Sequence, residues 1–182
     1  MAMNTSLAAI PANRFDSAAA WHLINRVGYG GNPTQHRELH AMGLNDAVDH
    51  LIDYTQIDVA GLPGIDLDRE VIRSLTDEER RRFREARRNG DQDVIDEQRR
   101  RNLEARRADG KMMTELRRWW MQRMAATPRP AEDRLTLLWH GHFASSWRSV
   151  RDTYLMYQQH ELLRQNANGN FADLAREVAE AT

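Results

Sequence analysis

The chain has 182 residues, enough for one ordinary domain that needs no covalent staple. It has no cysteine, which excludes disulfides, thiol nucleophiles and cysteine-ligated zinc or iron–sulfur centres. With 26 Lys+Arg against 27 Asp+Glu, no global basic field draws it onto nucleic acid or an anionic membrane, and its apolar runs are too short for a transmembrane segment.

Met1 to Arg14 lacks the charged start and long apolar stretch of a signal peptide and reads as a flexible arm over 1–15. Helical spacing dominates from there on, and no stretch alternates long enough to suggest a sheet. Asp16 or Ser17 caps a helix over Ala18 to Val27, with Ala20, Trp21, Ile24 and Val27 on one face and Gly28 at its end. After Gly28-Tyr29-Gly30-Gly31, Asn32 is a cap, Pro33 suits the first helical position, and Gln35 closes a capping box. This second helix ends near Gly43. Asn45 is the expected cap of a third, which turns Val48, Leu51 and Ile52 inward. Thr55 to Asp68, with two glycines and a proline, is a crossing loop.

Thr76 and Glu79 form a second capping box. From there to Arg107 the chain is nearly all charge, with only Phe83, Val94, Ile95 and Leu103 as large apolar residues, and Asn89-Gly90 and Asp109-Gly110 read as breaks. This predicts an exposed charged helical hairpin, an insertion over 69–110. Met112, Met113, Leu116, Trp119, Trp120 and Met124 then make a thick apolar stripe that Pro128 and Pro130 end. A helix from about Ala131 carries His140-Gly141-His142 at or just past its middle. A turn over Ser145 to Ser149, a helix over Arg151 to Asn166 and a last segment capped by Asn170 complete the chain. The predicted fold is all-α: one helical domain over 16–182, an irregular bundle with a protruding charged hairpin.

His140 and His142 are the metal candidates, since imidazole suits zinc and other divalent ions. Two histidines at i and i+2 converge in an extended segment but point apart in a helix. Glu132, Asp152, His160 and Glu161 are the candidate further ligands. Two other readings stand beside the metal one: packed histidines that hydrogen-bond across helices, and a single histidine acting as acid or base. Arg26 with Gly28 and Gly30 forms a weak anion-binding pattern at a helix start. Arg129, held between two prolines, either bridges carboxylates or meets a ligand, and Trp147 lies in a polar turn where a ligand could stack. The arginine runs are interrupted by acids, as at Glu78-Glu79 and Asp96-Glu97, and read as a solvated face or protein-contact arm rather than a nucleic-acid site.

Three separated motifs occur in order: His22-Leu23-Ile24-Asn25-Arg26-Val27-Gly28-Tyr29-Gly30; Leu116 to Met124 with Thr127-Pro128-Arg129-Pro130 and Leu135 to Ser146; and Glu161-Leu162-Leu163-Arg164 with Ala167-Asn168-Gly169-Asn170-Phe171. Together they resemble the DUF1800 family, although that family usually has Arg where this chain has Asn25 and Phe where it has Tyr29. The resemblance implies a bacterial protein. Relatives are often exported, whereas this chain reads as cytoplasmic by default. Relatives are also well over twice this length, so the chain is expected to be the N-terminal part of a larger protein. No catalytic residue carries over. The expected function is a helical module that associates with a protein partner or with a missing C-terminal part of the same protein. The alternative is part of a metal- or histidine-dependent enzyme around His140 and His142.

Overall fold

The computed structural model describes residues 10–181, so most of the arm expected over 1–15 lies outside the described residues; Ala12–Arg14 is a single 3-10 turn. The described residues contain nine α-helices and no strand. Local chemistry sets most of their starts. α1 (Ser17–Val27) begins on Asp16, whose carboxylate accepts the Ala19 N–H. α2 (Pro33–Met42) has the expected capping box: the Asn32 side chain accepts from Thr34 and Gln35, and Gln35 reaches back to the Asn32 N–H. α3 (Leu44–Ile52) differs from the expectation. Asn45 lies inside it, and Gly43, at φ 82°, occupies the cap position with no side-chain bond. Its inward residues are Ala47 and Leu51, whereas Ile52 is 47 % exposed.

α4 (Asp77–Asn89) starts on the Thr76–Glu79 capping box and ends on Gly90, which takes the left-handed conformation that a glycine cap favours. α5 (Gln92–Ala126) is 35 residues long and runs unbroken through Asp109-Gly110. The expected break there is absent because tertiary bonds hold this point. Asp109, only 1 % exposed, accepts the Trp147 indole N–H at 2.7 Å and the Thr153 N–H at 2.7 Å. The Thr153 hydroxyl donates to the Asp109 carbonyl. Against these bonds a mid-helix glycine costs only about 1 kcal/mol. A Cβ on Gly110 would stand at an ordinary contact distance of 4.0 Å from Trp147, so the indole does not require the glycine.

α6 (Pro130–His142) and α8 (Thr153–Gln165) pack together at the centre, joined by the short α7 (Trp147–Val150) and followed by α9 (Phe171–Glu180). His140 and His142 therefore fall in the last turn of α6 rather than near its middle. Two apolar clusters flank α6. Ile24, Leu39, Ala47 and Leu51 form one among α1, α2 and α3, while Leu67, Met112, Leu116, Trp119 and Met156 form the other around α5 and α8. The start of α6 buries Ala131, Glu132, Asp133 and Thr136, so the packing between the clusters is largely polar. Crossing bonds fasten it. The Tyr29 hydroxyl donates to the Asp133 carbonyl, and the Trp139 indole to the Ala167 carbonyl, each at 2.8 Å.

Candidate functional site

His140, on α6, and His160, on α8, meet with Nε2 and Nδ1 3.2 Å apart. Trp120, on α5, covers both rings at centroid distances of 4.8 and 4.7 Å, and Trp119 meets His160 edge-on. Three helices thus converge on one imidazole pair. His160 is 3 % exposed, and its Nε2 has no hydrogen-bond partner. Burial pulls the His160 pKa down to about 3, helped by His140, Arg164 and Arg123; burial lowers that of His140 as well. Both rings are neutral near pH 7, so a single proton lies between the two facing nitrogens.

A cavity of about 410 Å³ opens beside the pair, within the size range of small-molecule sites. Trp120, Trp147, Met113 and Met156 supply apolar and aromatic walls, while His140, Ser145 and Ser146 are polar. No carboxylate lines it, and its one charged lining residue is the exposed Arg117.

On the far side of His160 lies a buried ionic cluster. Glu132, 4 % exposed, is within 3.5 Å of Arg123, Arg129 and Arg164. Arg164 also grips Glu161 at 2.6 Å. Asp133 is fully buried and faces Arg123 Nε at 3.6 Å. Burial raises its pKa above the usual aspartate value, offset in part by Thr127 and Arg123. Arg129 also donates to the backbone carbonyls of Thr55 and Ile57, tying the crossing loop to the cluster. Of the two readings of Arg129, the observed contacts are those of a bridging residue.

Of the six sequence-predicted metal candidates, the structure brings His140 and His160 together, gives Glu132 to Arg123, Arg129 and Arg164, and leaves His142 and Asp152 apart. His142 leaves α6 in another direction and contacts Trp139, Phe143 and Phe171, as the i,i+2 spacing requires in a helix. Asp152 caps α8 through the Leu155 N–H. Glu161 binds Arg164, with its Oε1 4.0 Å from His160 Nε2. Among the described residues, no group of three His, Cys, Asp or Glu is placed to hold a metal ion. The anion candidates scatter similarly. Gly28 packs so tightly that a Cβ would stand 2.8 Å from that of Pro130, and Gly30 sits at φ 87°. Arg26 is exposed in the last turn of α1, and Trp147 is fixed by Asp109. Sequence reasoning missed Asp109, Arg123 and Arg117. The only available signal was isolated charge beside an apolar stripe, which is common on any helix.

A family model described as "Protein of unknown function (DUF1800)" matches residues 22–182. No curated protein and no solved structure matches the chain.

Proposed function

We propose that this chain, which belongs to the DUF1800 family, is a helical association module that receives an amphipathic helix of a partner protein along the outer side of α8. One observation carries the reading. A groove of about 550 Å³ lies among α7, α8 and α9 with no charged residue in its lining, in a chain that is 29 % charged. Val150, Leu155, Leu162 and Val178 supply its apolar surface, with Gln158 and Gln159 at its polar edge. Leu155 is 48 % exposed and Val150 41 %. Apolar anchors spaced along a helix fit such a groove, and the two glutamines can bond to their polar neighbours. The charged pair formed by α4 and the first half of α5 belongs to this proposal as an insertion over 69–110 that leaves the groove uncovered.

A photocrosslinking residue at Leu155, compared with one at the exposed Glu78, tests the reading. The expected result is an adduct from position 155 alone, mapping to an amphipathic helix whose synthetic peptide binds the purified chain and loses about tenfold or more in affinity to Leu162→Arg. Equal adducts from both positions, or a mapped peptide that does not bind, overturn it. The expectation that the chain is one part of a longer protein makes a helix from that same protein a distinct outcome of the mapping.

A further inference from the structure

We infer that the cavity beside His140 and His160 binds a small planar hydroxyaromatic compound, its ring against Trp120 and Trp147 and its hydroxyl donating to His140 Nδ1. The inference is independent of the groove on α8. The wall chemistry selects the ring: two indoles and two methionine thioethers give flat, polarizable contact, and thioethers and indoles favour aromatic partners. The absence of a carboxylate from the lining disfavours a cationic ligand.

The histidine pair selects the polar group. Of the two arrangements of its protons, one turns a donor toward Glu161. His160 Nε2 is buried, unpaired and 4.0 Å from Glu161 Oε1. A bare lone pair there would face a carboxylate, whereas an N–H is attracted to it. With its proton on Nε2, neutral His160 must accept at Nδ1, so the 3.2 Å bond is donated by His140 Nε2. That leaves His140 Nδ1 as a bare acceptor on a ring that lines the cavity. A hydroxyl satisfies it, and an ether or a plain hydrocarbon does not. The environment of His160 thus fixes what His140 can recognise, which makes His160 a positioning residue and His140 the contact.

The test uses 2-naphthol and its methyl ether, 2-methoxynaphthalene, which share a ring system and differ in the donor. Binding to the full chain is followed by tryptophan quenching and by calorimetry. The expected result is that 2-naphthol binds about tenfold or more tightly than the ether, the discrimination of a polar site that requires its donor. His140→Leu should bring the two ligands to parity while leaving affinity for the ether within about twofold. His140→Gln, which keeps a polar group and guards against misfolding in the leucine variant, should also lower the preference. The imidazole nitrogen resonances of the wild-type pair should shift on adding 2-naphthol and not on adding the ether. Equal binding of the two compounds, binding of neither below about 1 mM, or a naphthol preference that survives both substitutions overturns the proposal.

Discussion

The two charge-rich regions of this chain use ion pairs in opposite ways. Around α4 and the start of α5 the pairs are wet, and two of them are short. Arg73 meets Glu79 at 2.7 Å, Arg99 meets Asp96 at 2.9 Å, and all four side chains retain substantial exposure. Around α6 the pairs made by Arg123 are longer and dry: it lies 3.4 Å from Glu132 and 3.6 Å from Asp133, all under 10 % exposed. Distance alone would rank the first set above the second. Solvent reverses the ranking, because water screens the exposed pairs, whereas a buried charge that loses its partner has nothing to replace it. The exposed set holds the start of α4 and its contact with α5, and the buried set joins α5, α6 and α8.

The comparison is broken most directly at Arg123. Arg123→Ala leaves Glu132 and Asp133 short of a partner in a dry site and should cost about 3–5 kcal/mol in urea unfolding. A loss under about 1 kcal/mol would put the cluster in the same class as the surface pairs. Asp109→Ala strands the Trp147 and Thr153 N–H groups and should cost about 2–3 kcal/mol, with faster amide exchange where α7 meets α8. Full stability there would mean that the apolar stripe holds the long helix without help.

A pH series sharpens the contrast. The folded-state pKa of His160, about 3, lies below the ordinary value of 6.5, so its contribution is fully present above about pH 6.5 and is lost as the pH falls toward 3. In that window the wild type should lose up to about 1.4 kcal/mol per pH unit more than His160→Gln, read from urea midpoints at pH 7, 6 and 5. Parallel curves would place the protonated ring in a solvated state. The smallest effect belongs to the exposed region. Glu79→Gln removes the anchor shared by Arg73 and Arg101, yet the global midpoint should stay unchanged while the first turn of α4 exchanges faster. A lowered global midpoint would show that the exposed pairs carry the fold.

What could be read in advance follows the same division between local and long-range chemistry. The Asn32–Gln35 and Thr76–Glu79 boxes and the Asn170 cap were legible because each is complete within four residues. The divergence of His140 and His142 followed from helical spacing alone. Asn45 misled because Gly43 starts the helix two positions earlier, and Asp109-Gly110 misled because the bonds that keep α5 continuous come from residues 38 and 44 positions away. The pairing of His140 with His160 needed the packing of α6 on α8, which sequence spacing does not encode. Of the buried cluster, the bridge from Arg129 to Glu132 was legible from the prolines that hold Arg129, whereas Arg123 looks like an ordinary surface charge until α6 and α8 pack against α5.

The unbroken course of α5 also has a mechanical consequence. At 1.5 Å per residue its 35 residues make a shaft roughly 52 Å long. Asp109 lies at its midpoint and, through Trp147 and Thr153, marks where the core's hold on the helix begins. A swing of about 10° about that point carries the Gln92 end by roughly 4–5 Å. Because α4 packs along that end, the displacement would reach it too, while Met112, Leu116, Trp119 and Arg123 keep the half beyond Asp109 in the core. The long helix is thus a lever with one end fixed and one end in solvent.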